Sequence, residues 1–108
     1  MEENNIDVIQ YLQNRVKKHE EEERVCLVDT YGSKNMIKDI TNYIDQGFSI
    51  KESIESCFDE TLQNIFEIEN KMKKNIKQDD RVQYQEELNT ENSALKELLI
   101  IKDKFNIQ

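Results

Sequence analysis

Apolar residues recur every three or four positions along most of the chain, the spacing that places side chains on one face of an α-helix. Near the start, this spacing predicts a helix from about Ile6 to Arg24, with Asn5 as its cap. The apolar stripe of this helix consists of Ile6, Ile9, Leu12 and Val16. Charged residues follow the stripe, and His19 is therefore predicted to lie on the polar surface of the helix.

A compact apolar run, Val25-Cys26-Leu27-Val28, follows this helix. Its composition is typical of a short β-strand, but the chain offers no convincing second strand to pair with it. We expect a buried continuation of the helix or an extended connector, with a strand as the open alternative. The next helix is predicted over residues 33–47, with Ser33 as its cap after the break at Tyr31-Gly32.

The strongest local signal is a helical corner at residues 47–52. Gly47 stands where a helix commonly ends in a left-handed residue, a conformation that glycine adopts without strain. In that geometry Phe48 would fold back on Tyr43. Ser49-Ile50-Lys51-Glu52 then matches a capping box, in which the side chains of residues 49 and 52 each accept the other's backbone N–H. One helix is predicted to end at Gly47 and another to begin at Ser49.

After Ser49 the chain has neither glycine nor proline, and the apolar spacing continues to the end. Long helices are predicted over residues 49–77 and 79–108, because lysines crowd the end of the first and Asp79-Asp80 open the second. The polar stretch 89–93 interrupts the apolar stripe of the last helix. It is either an exposed turn of that helix or a polar contact between helices that fixes their register or the oligomeric state. A single unbroken helix from Ser49 onward is the alternative. The residues expected to form helix packing or a partner interface are Ile54, Phe58, Leu62, Ile65, Leu95, Leu98 and Leu99.

These elements predict an all-α fold: a small helical bundle dominated by a long C-terminal antiparallel helical hairpin, with two shorter N-terminal helices. We expect residues 1–108 to form one helical domain, in which residues 1–32 are the first helix and its connector. Composition agrees, since a chain with no proline and only two glycines is poor in the turn residues that a many-stranded β-fold needs.

The formal net charge of −8 limits the choice of partners. An overall negative field repels phosphate backbones, so we expect no direct nucleic-acid binding, and it attracts basic proteins. The candidate acidic face consists of Glu52, Glu55, Asp59, Glu60, Glu67 and Glu69. Abundant Ile, Lys and Asn with a single Ala indicate a low-GC genome, such as that of some bacteria and their phages.

Location and chemistry are constrained mainly by what the sequence lacks. No apolar stretch approaches the ~18 residues that span a bilayer, and the acidic N-terminus is unlike a signal peptide. Cys26 and Cys57 form no paired motif, so we expect a cytoplasmic protein with reduced thiols and no membrane association. No glycine-rich phosphate loop, nucleophile motif or metal-ligand spacing occurs, so no catalytic, cofactor-binding or metal-binding residue is predicted.

The leading hypothesis is a non-enzymatic protein–protein interaction module, an acidic cytoplasmic adaptor or regulator that acts through helical surfaces. Two long amphipathic helices would leave apolar surface that the short helices cover only in part, so a homo-oligomer is expected. The alternative is an acidic inhibitor of the phage counter-defence type. Such a protein would mimic nucleic acid and bind a basic nucleic-acid-binding enzyme.

Overall fold

The structure, a computed structural model, describes residues 5–74 and 76–107. These residues form four helices and no strand. The helices are α1 (Asn5–Cys26), α2 (Tyr31–Asp45), α3 (Ile50–Met72) and α4 (Gln78–Lys104). The two long helices α3 and α4 pair as an antiparallel hairpin, and α2 packs against both of them. The predicted all-α class and hairpin are confirmed, and the single unbroken helix from Ser49 onward is wrong.

The core lies where α1 and α2 meet the hairpin. The fully buried apolar side chains of this core include Val8, Leu12, Ile37, Ile40, Ile54, Leu98 and Ile101. On α1, the buried side is centred on Val8 and Leu12, whereas Ile9 and Val16 of the predicted stripe are only half-buried. The predicted cap, Asn5, already belongs to α1, and the side chain of Ile6 lies outside the described residues.

The predicted corner between α2 and α3 is confirmed. Gly47 has a φ of +101°, its N–H donates to the carbonyl of Ile44 at 3.0 Å, and the Phe48 N–H donates to that of Tyr43 at 3.1 Å. This pair of bonds is a Schellman motif, which satisfies the last free carbonyls of α2. The Tyr43 and Phe48 rings also meet edge to face at 5.3 Å.

The capping box at the start of α3 is also formed as predicted. The Glu52 N–H donates to the Ser49 hydroxyl, and the Ser49 N–H donates to the Glu52 carboxylate, each at 3.1 Å. These two bonds satisfy backbone donors that the first turn of a helix leaves free.

The predicted start of α2 at Ser33 is wrong. The helix begins two residues earlier, at Tyr31, whose N–H donates to the Asp29 carboxylate at 2.9 Å. Ser33 instead lies inside α2 and is buried against α4, where its hydroxyl is 2.9 Å from that of Ser93.

Of the alternatives for residues 25–28, the strand is wrong, and the helix continues only through Cys26 and is exposed there rather than buried. Val25 and Cys26 complete α1, and the chain then turns through Leu27, which has a φ of +56°. The side chains of Val25 and Leu27 are 73% and 89% exposed, so this connector is an apolar surface segment.

The joint between α3 and α4 lies earlier than predicted. The last residue of α3 is Met72 rather than residue 77, and α4 begins at Gln78 rather than at residue 79. Arg81, in the first turns of α4, donates to the carbonyl of Met72 at 3.2 Å and so satisfies a free acceptor at the helix end. Asp79 and Asp80 lie in the first turn of α4, where the sequence placed them at the start of the last helix.

Helix α2 approaches α4 closely at Gly32. A Cβ atom added there would overlap the backbone carbonyl oxygen of Thr90 and lie 3.2 Å from the Cβ of Ser93. Thr90 and Ser93 belong to the polar stretch that interrupts the last apolar stripe, so part of that stretch faces α2. Glycine at position 32 therefore sets the spacing of the two helices.

We predict that Gly32→Ala lowers the free energy of unfolding by about 1–3 kcal/mol, because the added methyl group must push two helix backbones apart. Urea unfolding followed by circular dichroism measures this change. Helix propensity alone predicts the opposite sign, a gain of about 1 kcal/mol for alanine over glycine inside a helix. A stabilised variant would therefore contradict the close approach of α2 and α4.

Candidate functional site

The most unusual polar feature is a buried carboxylate on α4. The Glu97 side chain is only 1% exposed. Arg15 of α1 donates to it twice, from Nε to Oε2 and from Nη2 to Oε1, each at 2.8 Å. His19, one turn further along α1, contacts Oε1 through Nε2 at 2.7 Å. We call Arg15, His19 and Glu97 the Glu97 cluster; it joins α1 to α4 through one carboxylate.

The predicted surface position of His19 is wrong, because this residue is only 7% exposed. The buried side of α1 runs through Val8, Leu12, Arg15 and His19, which follow one another at helical spacings of four, three and four residues. Arg15 and His19 thus occupy positions where the spacing of buried residues on α1 would call for apolar side chains. Their common partner, Glu97, lies on α4.

Electrostatics favour an ionised Glu97. Burial alone would raise the pKa of this carboxyl, but the hydrogen bonds from Arg15 and His19 outweigh it and hold the pKa below its ordinary value. The bond to Glu97 also raises the pKa of Arg15. Two basic side chains from α1 therefore compensate a charge that would otherwise be costly to bury.

Both ring nitrogens of His19 face carboxylates. A histidine–carboxylate pair in an enzyme orients the histidine toward a nucleophile. Within the described residues, the one side chain that hydrogen-bonds His19 is Glu97, and the other ring nitrogen lies 3.8 Å from the carboxylate of Glu22. In the same part of the chain, no group of three or more His, Cys, Asp or Glu residues is placed to hold a metal ion.

One side of the α3–α4 hairpin is covered by α2. The Tyr43 hydroxyl of α2 donates to the Glu60 carboxylate of α3, and Ser33 bonds Ser93 of α4. Since a helix turns about 100° per residue, a side chain two positions away from such a contact points about 160° away from it. Leu62 is two positions after Glu60 on α3, and Leu95 is two positions after Ser93 on α4, so both leucines point away from α2.

The opposite side of the hairpin carries apolar side chains that are open to solvent in the described structure. Glu55, Asp59 and Glu69 flank them, because each stands seven residues from Leu62 or Phe66 and so points in nearly the same direction. We call the apolar group the hairpin face; it consists of Phe58, Leu62, Phe66, Leu95 and Leu99. Three of these side chains remain well exposed: Leu62 by 44%, Phe66 by 61% and Leu99 by 49%. Phe58 and Leu95 are half-buried, and Phe58 packs against the core.

The structure divides the predicted packing residues between the core and this face. Ile54 and Leu98 are buried in the core, and Ile65 is half-buried. Phe58, Leu62, Leu95 and Leu99 belong to the hairpin face. Phe66 was not among the predicted residues. It stands four residues after Leu62, and this spacing places it on the same stripe of α3.

The six predicted acidic residues do not form one patch. Among the described residues, none of them has a lysine, arginine or histidine nitrogen within 4.0 Å. Glu52 belongs to the capping box and Glu60 accepts the Tyr43 hydroxyl, so both have structural roles. At about 100° per residue, the six are spread around the exposed half of α3. Glu55 and Asp59 share a shallow groove with Lys102.

A small polar cavity lies between α2, α3 and α4, with Asp39, Cys57 and Glu91 among its lining residues. Burial raises the pKa values of Asp39 and Glu91, and nearby carboxylates add to both shifts. Burial also raises the pKa of the Cys57 thiol to about 12, so this thiol stays protonated and unreactive at neutral pH. The other cysteine, Cys26, is exposed at the end of α1.

Comparison with known protein families, curated proteins and solved structures finds no match to this chain. Within the described residues, no helix combines the length and apolar character needed to cross a membrane. The features of the chain that bear on its function are the Glu97 cluster, the hairpin face and the charges around them.

We predict that Glu97→Ala lowers the free energy of unfolding by about 3 kcal/mol, because it leaves Arg15 and His19 without their common acceptor. Urea unfolding measures this change, with Glu87→Ala, an exposed residue on the same helix, as the control. Replacing the whole cluster by apolar residues, as in R15M/H19L/E97L, should recover most of the loss. An equal effect of the Glu97 and Glu87 variants would show that the cluster contributes nothing.

The contribution of Glu97 should also depend on pH. Its pKa is lower in the folded protein than the ordinary value of 4.5, so the ionised form stabilises the fold above pH 4.5. This stabilisation is lost as the pH falls through the folded-state pKa. The difference in unfolding free energy between the wild type and Glu97→Gln is therefore expected to shrink between neutral pH and strong acid. A difference that stays constant over that range would mean that Glu97 is not ionised in the folded protein.

Proposed function

We propose that this protein is a non-enzymatic, self-associating interaction module that acts through the hairpin face. The observation that carries the proposal is the exposure of Leu62, Phe66 and Leu99 on one side of two paired helices. Exposed apolar side chains grouped on one face commonly mark a protein-interaction site. Neither α1 nor α2 covers this face in the described residues, since α2 and the Glu97 cluster contact other sides of the hairpin.

A second copy of the chain fits this face well. Each copy presents the same two-helix apolar surface, and pairing two hairpins makes a four-helix bundle that buries both surfaces. A contact between identical patches closes as a two-fold dimer and leaves no further site of the same kind. The dimer would then be the working form of the module.

The remaining surface supports a role as an acidic cytoplasmic adaptor or regulator. The net charge of −8 would stay largely exposed in such a dimer and would favour encounters with basic proteins. In this proposal the hairpin face holds the two copies together, and the outer surfaces meet the protein partner.

Sedimentation equilibrium of three proteins tests the proposal: the wild type, Leu99→Glu and Ile100→Glu. Leu99 and Ile100 are neighbours on α4 with similar exposure, 49% and 37%, but only Leu99 belongs to the hairpin face. We expect the wild type to dimerise and Leu99→Glu to raise the dissociation constant at least about tenfold, because a charge is buried in the contact. Ile100→Glu should behave as the wild type.

Circular dichroism of both variants verifies that they are folded, so that a change in mass reports association. A wild type that sediments with the 12.9 kDa mass of one chain at every concentration would overturn the proposal. Equal effects of the two substitutions would show that association does not use the hairpin face.

A second candidate function is supported by the unpaired carboxylates. Glu55, Asp59, Glu67 and Glu69 are exposed and, within the described residues, have no cationic partner within 4.0 Å. Carboxylates presented in this way would attract a basic groove that normally binds phosphates. We propose as the alternative that the protein inhibits a nucleic-acid-binding enzyme by occupying that groove.

Competition against labelled DNA for a panel of purified basic nucleic-acid-binding enzymes tests this alternative. We expect displacement of DNA at low salt, a loss of binding at high salt because exposed charges are screened, and weaker binding by E55Q/D59N. The matched control is E86Q/E87Q, two exposed carboxylates on α4. Binding that persists unchanged in molar salt would contradict the mimicry of nucleic acid.

A further inference from the structure

We infer that the second copy docks on the hairpin face in an antiparallel orientation, so that the basic end of each hairpin lies against the acidic end of the other. This inference rests on the proposed self-association and adds its geometry. The basic tip is the joint between α3 and α4, with Lys71, Lys73, Lys74 and Lys77. The acidic base is the first part of α3, with Glu52, Glu55 and Asp59.

The two ends of α3 carry opposite charge. Residues 50–59 contain three carboxylates and one lysine, and residues 70–77 contain four lysines and no carboxylate. The helix dipole favours such an arrangement only within the first and last turns. Glu55 and Asp59 lie beyond the first turn, and Lys74 and Lys77 lie past the end of the helix, so the dipole does not account for the whole pattern.

Side chains of α4 offset only part of the charge at each end. Asp79 and Asp80 lie in its first turn, next to the tip, and Lys102 shares a groove with Glu55 and Asp59 at the base. None of the four tip lysines has a carboxylate oxygen within 4.0 Å in the described residues, and Lys71 instead lies over the Tyr84 ring. The 23 residues of α3 hold the two ends about 34 Å apart, several times the screening length of roughly 8 Å in physiological salt. The opposite charges therefore attract each other only when a second molecule brings them together.

The position of the apolar residues agrees with the antiparallel orientation. Leu62 lies near the middle of α3, with the acidic base before it and the basic tip after it. A two-fold axis near Leu62 places the apolar middle of α3 in one copy against the apolar middle of α3 in the other. The same axis places the basic tip of each copy against the acidic base of the other. A parallel pair would bring four lysines against four lysines, and like charges placed together oppose association.

Two charge-reversal variants test the orientation by sedimentation equilibrium at low salt. K73E/K74E makes the tip acidic, and E55K/D59K makes the base basic; both avoid the lysine over Tyr84 and the capping box. We expect each variant alone to raise the dissociation constant about tenfold, because attraction becomes repulsion at both ends of the dimer. The two variants mixed in equal amounts should associate, and the quadruple variant K73E/K74E/E55K/D59K should dimerise as the wild type does.

The matched controls change the net charge equally but away from the hairpin. These are K17E/K18E for the tip and E20K/E21K for the base, all at exposed positions on α1. Single reversals that leave dimerisation unchanged relative to these controls would overturn the antiparallel arrangement while the proposed function stands. A wild type that is monomeric would overturn both. Zero-length carbodiimide cross-linking of the wild-type dimer should join Lys73 of one copy to Glu55 or Asp59 of the other.

Discussion

The charge of Glu97 is the constraint on which the arrangement of the helices depends. An ionised carboxylate in the interior is tolerated only when basic partners and hydrogen bonds compensate it, and here both partners come from α1. In the register that α1 adopts, Arg15 and His19 both reach Glu97, and a shift of the helix would leave the buried carboxylate without them. The ring of Tyr11 then meets that of Phe105 at 5.3 Å, near the end of α4.

The same constraint leaves the hairpin face open. Glu97 lies two residues from both Leu95 and Leu99, so the side of α4 that holds α1 is nearly opposite the side that carries these leucines. The close approach at Gly32 holds α2 against another part of the hairpin. With α1 and α2 packed elsewhere, the apolar side chains of the hairpin face stay exposed in the single chain, and this exposure is the basis for the proposed self-association.

The sequence predicted the features that depend on neighbouring residues. The turn at Gly47 and the box formed by Ser49 and Glu52 occupy six consecutive positions, and their hydrogen bonds connect groups at most five residues apart. The end of α3 was predicted too late, because the apolar period continues to Ile76. A contact from Arg81 across the joint accompanies the earlier end at Met72.

The Glu97 cluster was missed for a related reason. His19 and Glu97 are 78 residues apart, and each alone has the character of a surface residue. The sequence did contain one indication that Glu97 is buried. It follows Ala94 by three residues and precedes Ile101 by four, so it occupies a position in the apolar stripe of α4. A polar residue at an apolar position indicates a buried partner, but one sequence does not identify that partner.

The most direct test of the central claim is a dilution series of the methyl NMR spectrum of the unmodified chain, from millimolar to micromolar concentration. If the hairpin face joins two copies, the methyl signals of Leu62, Leu95 and Leu99 shift with concentration, while those of the core residues Val8 and Leu12 do not. A spectrum that is unchanged over this range, or shifts confined to residues 25–28, would contradict self-association through the hairpin face.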